Sequence, residues 1–215
     1  MTEVQQGSYA KELDLFEQVL QQQKADKNKV YSLHKPFTCC IAKVKAHKQY
    51  EFGNKIGLTT SYTNLVITSI TSYNGNPHDS KTIAPLLEQM KSNNLPVPKE
   101  VIYDRAGKGV KQIEDTIIST PDRKPLKRDS NYQKQNKRKK FRRRAAIEPV
   151  IGHLKSYFRM GQNYLNGEKS PKINALLAET GWNLKKMMSK LKEELTLHLD
   201  FIVLIIFNTR RNLSF

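Results

Sequence analysis

The sequence predicts a mixed α/β fold, and three consecutive stretches in its middle carry that prediction. TNLVITSITSY, residues 63–73, alternates apolar and polar side chains at the strand period and stops at NGNP, a run of turn formers. Ile83, Leu86, Leu87 and Met90 then recur at helical spacing over residues 80–92, with Asp79 or Ser80 as the cap. A short apolar strand over 100–103 comes next and ends in Asp104. Strand, helix and strand in succession is the alternation from which mixed sheets are built.

The flanks extend this pattern. Residues 8–24 place Leu13, Phe16, Val19 and Leu20 at helical spacing among Gln and Lys, an amphipathic helix whose stripe needs a docking surface; residues 1–27 form an N-terminal appendage. Within VYSLHKPFTCCIAKVKAHKQYEF, aromatic and β-branched residues predict extended segments near 36–44 and 49–59. After a turn from Gly107 to Gly109, a short helix near 109–115 and a strand near 116–119 fit the alternation. Residues 121–140 are polar, basic and poor in apolar side chains, which predicts a loop. One helix is expected over 138–157 and another over 171–193, with Leu176, Leu177, Trp182, Leu184, Met187, Met188 and Leu191 as its apolar positions. The tail, 194–215, suits a packed helix, a strand or an out-of-frame extension. No internal repeat is visible.

Charge narrows the class of partner. Thirty-seven Lys and Arg against 20 Asp and Glu give a net charge of +17, which attracts polyanions and releases their counterions on binding. Nucleic acid is favoured over a membrane, because the longest apolar run, FIVLIIF at 201–207, falls short of the roughly 20 residues that span a bilayer. Residues 1–23 are polar and lack a secretory pattern, so a cytoplasmic protein is expected. Cys39 and Cys40 are adjacent and suit neither a staple between distant loops nor a zinc site; a half-buried strand position explains them. His34, His47, His78, His153 and His198 share no ligand spacing, and only His153 falls in the stretch 141–155, where candidate chemistry lies.

Two acids carry that chemistry. In FRRRAAIEPVIGHLK, residues 141–155, a helix would bring Phe141, Arg144, Glu148 and Lys155 to one face, setting one carboxylate between two cations. Asp104 stands at the end of an apolar strand, where open α/β sheets place ligand-binding residues, and IYDRAGKG continues it with Arg105, glycines and Lys108. Such a carboxylate suits a divalent metal that also meets phosphate oxygens. With Glu148 as second carboxylate, two metals would activate a water or a DNA 3′-hydroxyl for in-line displacement. Plainer readings remain open on the residues alone. Asp104 also suits a turn or cap, Glu148 an intrahelical ion pair with Arg144 worth a few tenths of a kcal/mol, and the basic run Lys134–Arg144 a localisation-like patch or a solvated arm.

The spacing Phe141, Arg144, Glu148, Lys155 resembles the signature around the catalytic Glu of DDE transposases of bacterial insertion sequences, whose first position is usually Tyr. NKVYSLHKP (28–36), KAHKQYEFGNK (45–55), GNPHDSKTIAPLLEQ (75–89), HLKSYFRMGQNYLNG (153–167) and INALLAETGWNLKKMM (173–188) resemble one branch of that family, so the likeness covers about residues 10–190. It implies an RNase H-like domain that cleaves and transfers DNA strands at insertion-sequence terminal repeats with Mg2+ or Mn2+. Asp104 then takes the part of the second catalytic acid and Glu148 the third, both as metal ligands. Arg144 and Lys155 take the motif's basic positions, with Lys139, Lys140, Arg142, Arg143 and Arg159 as further DNA-binding candidates.

Departures from the family pattern shape the expectation. Arg105 is followed by Ala106, Gly107, Lys108 and Gly109 where the family has Gly, an aromatic, a basic residue and Gly, and Val44 replaces a usual Gly. The first catalytic Asp, carried by a central strand in the family, has no counterpart: Asp14 and Asp26 lie in helical and linker contexts. A partial RNase H-like domain over 28–193 is expected, in a bacterial cytoplasmic fragment inactive alone. It would act as a homo-oligomer or with a complementing N-terminal transposase fragment. The competing classes are a non-catalytic DNA-binding remnant and a basic RNA-associated protein.

Overall fold

The computed structural model describes residues 2–43, 49–104, 107, 109–122 and 128–212, without the side chains of Glu3 and 206–212. Val44, His47, Arg105, Ala106 and Lys108 lie outside the described residues.

The predicted strand–helix–strand unit is present. Strands β3 (Lys55–Thr60) and β4 (Ile67–Tyr73) form an antiparallel hairpin in the register Lys55↔Tyr73 to Thr59↔Ser69, with an irregularity at Thr60. Residues 63–66 leave the predicted strand because Ser61 closes a turn: its hydroxyl accepts from Val66 N at 3.1 Å, and Leu65 takes φ +55°. A 3₁₀ turn (Asp79–Thr82) then leads into α3 (Ile83–Ser92). Neither Asp79 nor Ser80 caps α3, whose N-cap is Thr82 without a side-chain cap bond; the 3₁₀ turn before it is capped by His78, its Nδ1 accepting from Ser80 N at 3.3 Å. The four apolar positions of α3 are buried as their spacing requires.

Strand β5 (Glu100–Ile102) pairs in parallel with β7 (Thr116–Ser119), and β6 (Gln112–Ile113) pairs antiparallel with β7, giving the order β5-β7-β6. Strand β6 and a turn through Glu114 at φ +48° replace the helix expected at 109–115. Gly109 at φ +116° precedes a segment too short to meet the cost of helix nucleation.

The N-terminal stretch forms α1 (Glu3–Ser8) and α2 (Ala10–Gln21). Its stripe is not buried: Leu13, Phe16 and Leu20 are exposed, Leu20 by 85%. The Gln22 side chain ties the end of α2 to the segment at Val30, exchanging hydrogen bonds with Val30 N (2.9 Å) and O (3.2 Å). The extended segments shorten to β1 (Cys40–Ala42) and β2 (Tyr50–Phe52), an antiparallel pair, with Cys39 and Cys40 free and half-buried.

The basic stretch is not a loop throughout. Residues 131–140 belong to α4 (Asn131–Arg144), opened by a capping box in which Ser130 and Gln133 satisfy each other's backbone N–H. Lys, Arg and Gln are good helix formers, so low apolar content does not forbid the helix. The single helix expected over 138–157 is broken: tight i→i−3 hydrogen bonds at Ala145 and Ala146 separate α4 from α5 (Ile147–Ser156). The tail continues α6 (Ser170–Asn212).

Helix α6 packs on β4. Asn183 completes the end of that strand, donating to Ile67 O and accepting from Ile67 N, both at 2.8 Å, and the Trp182 indole donates to Leu65 O at 2.8 Å. Ile67, Ile70, Val150, Leu154, Ala175, Ala178 and Trp182 make one core cluster; Ile83, Leu87, Met90 and Ile118 make a second. Leu177, Leu184, Met187, Met188 and Leu191, expected on the apolar side of α6, are exposed. The mixed α/β class is as predicted, but among the described residues the strands form three small sheets rather than one. No helix among the described residues is long and apolar enough to cross a membrane.

Candidate active site

Asp104 and Glu148 meet through a shared guanidinium. Asp104 leaves the end of β5, held by the parallel pairing with β7 and by Tyr103 N donating to Ser119 O at 2.8 Å. Glu148 sits in the first turn of α5, where the helix N-terminus favours negative charge. Arg144, at the end of α4, donates through Nη2 to Asp104 Oδ2 at 3.0 Å and through Nη1 to Glu148 Oε1 at 3.3 Å.

The break at Ala145 and Ala146 changes the expected single helical face. Phe141 and Arg144 belong to α4, and Glu148 and Lys155 to α5. The ion pair across four residues survives the break. Glu148 remains 68% exposed, while Ile147 and Ile151 turn toward a groove and Val150 enters the core.

The other basic residues divide into two groups. Arg143 is committed to structure: Nε donates to Tyr62 O at 2.7 Å, Nη2 donates to Thr63 O, and its guanidinium lies over the Tyr62 ring. Lys140 is committed to Glu100. Burial opposes the Glu100 carboxylate, but Lys140 and the Ser119 hydroxyl outweigh it and hold its pKa below the ordinary value. Lys139, Arg142, Lys155 and Arg159 are exposed, and Arg159 adopts φ +53° in the turn after α5. These four remain accessible to a polyanion.

His153 stacks on Trp182 with ring centroids 5.9 Å apart, so its part is in packing. Asp79 escaped the sequence reading as anything but a cap. It faces the same groove as Asp104 and pairs with Lys55 on β3. Only the strand pairing brings Lys55 near it, and no local motif signals that.

A divalent ion can be tested against this donor set. Mg2+ keeps several waters and is commonly bound by one or two carboxylates together with substrate phosphates. Asp104 and Glu148 fit that minimum on rigid neighbouring elements. They do not make a cage for two ions: no group of three or more His, Cys, Asp or Glu among the described residues is arranged to hold a metal. Arg144 supplies the positive charge between the two acids in this arrangement.

The family model described as transposase DDE domain matches residues 21–183. No curated relative and no solved structure matches the chain. A match over that span covers well over half of the sequence and includes Asp104, Arg144, Glu148 and Lys155; the chain belongs to the transposase DDE domain family.

Proposed function

We propose that this chain works on an RNase H-like scaffold at the terminal repeats of a bacterial insertion sequence, supplying two carboxylates of a DNA strand-transfer centre. Family membership supports transposase function in general, with DNA as partner and divalent metal ions in use. The observation that carries the finer reading is the convergence of Asp104 and Glu148 on Arg144.

DNA phosphates would meet Lys139, Arg142, Lys155 and Arg159, whose side chains are exposed. Asp104 and Glu148 would hold a divalent ion, which when bound neutralises charge on a reacting phosphate. Arg144 positions both acids before DNA arrives and can turn toward a phosphate afterwards, because guanidinium groups recognise carboxylates and phosphates with the same planar fork. Asp104 and Glu148 would be the second and third acids of that centre, and these 215 residues by themselves would bind DNA without cutting it.

Binding to an inverted-repeat duplex, a random duplex and a structured RNA at one salt concentration tests the partner. Preference for the inverted repeat is expected, and tightest binding to RNA would overturn it. Magnesium-dependent cleavage of the duplex by the purified chain, abolished in Glu148→Gln, would instead show that two acids suffice.

A further inference from the structure

Strand β5 ends at Ile102, two residues short of Asp104, so its ladder does not by itself fix the acid's backbone. Tyr103 stands between them and is held at both ends. Its backbone N–H donates to Ser119 O of β7 at 2.8 Å, and its phenol reaches the 3₁₀ turn before α3. There the Thr82 hydroxyl donates to Asp79 O at 2.7 Å, so it accepts from the Tyr103 hydroxyl at 3.0 Å. Asp79 O lies 3.4 Å from the same phenol oxygen. Thr82 is buried and its carbonyl accepts from the Tyr73 hydroxyl of β4, while Lys55 of β3 pairs with the Asp79 carboxylate. The anchor of the phenol is therefore tied to both strands of the β3–β4 hairpin.

The ring between these anchors bears on Gly107. A methyl group on the Gly107 α-carbon would overlap Tyr103 Cδ1 and lie 2.7 Å from its Cε1, well inside van der Waals contact. Glycine is what permits so close an approach of backbone to ring. Such an overlap is relieved cheaply where the side chain can swing aside, but the far end of this one is hydrogen-bonded. Gly107 is buried, and its N–H donates to Asp104 O at 3.2 Å. Whatever holds Gly107 therefore also holds the backbone of the acid.

We propose that Tyr103 is the positioning residue of Asp104. Its ring, pinned at the hydroxyl by Thr82 and Asp79, is the surface on which Gly107 rests, and Gly107 fixes the Asp104 carbonyl. The Asp104 carboxylate is thereby presented to Arg144, which it meets at 3.0 Å. Tyr103 touches no reacting group in this role and acts through Asp104 alone. The stretch 78–82 thus reaches the candidate centre without supplying a ligand to it. The bearing of this lock on metal binding rests on the proposed transposase reading; the lock itself does not.

The test uses the full chain without DNA. Hydrogen exchange of single amides is read by NMR, and Mn2+ affinity from the free-ion signal in electron paramagnetic resonance. Tyr103→Leu removes the ring, Tyr103→Phe removes only the anchored hydroxyl, and Gly107→Ala adds the methyl group. The amide at position 107 should exchange about tenfold or more faster in Tyr103→Leu and Gly107→Ala, and by a smaller factor in Tyr103→Phe. Amides of β4 and α6 should keep their wild-type protection, which shows that the variants are folded. Mn2+ affinity should fall in the same order, by about tenfold at most, as when a group that orients a metal ligand is removed. Combining Tyr103→Leu with Gly107→Ala should add little, because both break one contact.

Wild-type exchange at position 107 in Tyr103→Leu would overturn the proposal, and so would a Tyr103→Phe variant that matches wild type in both readouts. Faster exchange throughout β4 and α6 would also overturn it, by making Tyr103 an ordinary core residue. Asp104→Asn separates the two claims. If it leaves Mn2+ affinity unchanged, the metal reading of Asp104 fails and exchange at position 107 decides the lock. If it lowers the affinity while the Tyr103 variants do not, the lock fails and the metal reading stands.

Discussion

Arg144 Nη2 lies 3.0 Å from Asp104 Oδ2, across forty residues of sequence. The pair is a third or so exposed, so solvent screens it and its worth to folding is below about 1 kcal/mol. Its value is positional. Arg144→Ala should shift the urea midpoint by less than about 1 kcal/mol in stability while weakening duplex binding several-fold. Unfolding of the variant under native conditions would show that the pair is structural instead.

The accessible and committed cations should differ in the salt dependence of DNA binding. Removing one phosphate-binding cation lowers the log–log slope by about 0.9. Replacing Lys139, Arg142 and Arg159 by Ala should lower it by roughly 2 to 3 in total. Lys140→Ala should change it less, because Lys140 is paired with Glu100. Binding isotherms over a salt series check both.

Asn183 offers a stability test far from the proposed chemistry. Its amide serves both the N–H and the C=O of Ile67, and Asn183→Leu would strand both groups at a cost of about 2 to 4 kcal/mol. Asn183→Asp keeps the acceptor without the donor, so it should fall between wild type and Leu. Urea denaturation followed by Trp182 fluorescence reads the order directly.

Tyr73 gives a pH dependence. Burial, then the neighbouring Tyr103, pushes its pKa up to about 12, and its hydroxyl donates to Thr82 O at 2.7 Å. The folded value is raised above the unfolded one of about 10, so the native state holds this proton more tightly. Its contribution is intact below about pH 10 and is lost as pH rises toward about 12. Tyr73→Phe should flatten the alkaline limb of the stability profile, measured by denaturation at several pH values.

Local pattern was a good guide wherever burial follows sequence period. Ile83, Leu86, Leu87 and Met90 are all buried, and Trp182 enters the core from a helix whose spacing announced it. Pattern failed where a single contact overrides it. Ser61 turns four residues of the predicted strand into a loop, and the Ser130–Gln133 box makes a helix from a stretch that composition assigns to a loop. Leu184, Met187, Met188 and Leu191 have the right spacing for a core and no body to pack against among the described residues. Amphipathicity shows that a helix has an apolar side, not what covers it.

The candidate site was legible in part. The four-residue interval between Arg144 and Glu148 suffices to predict their contact, because helical turns make such neighbours. The sequence by itself therefore determined the family, the charge that favours a polyanion, and the local ion pair. Only the tertiary structure decided that Arg144 also takes Asp104, that Lys140 and Arg143 are occupied, and that β3 and β5 border one groove. Those facts join residues tens of positions apart, where the chain's path rather than its period sets who meets whom.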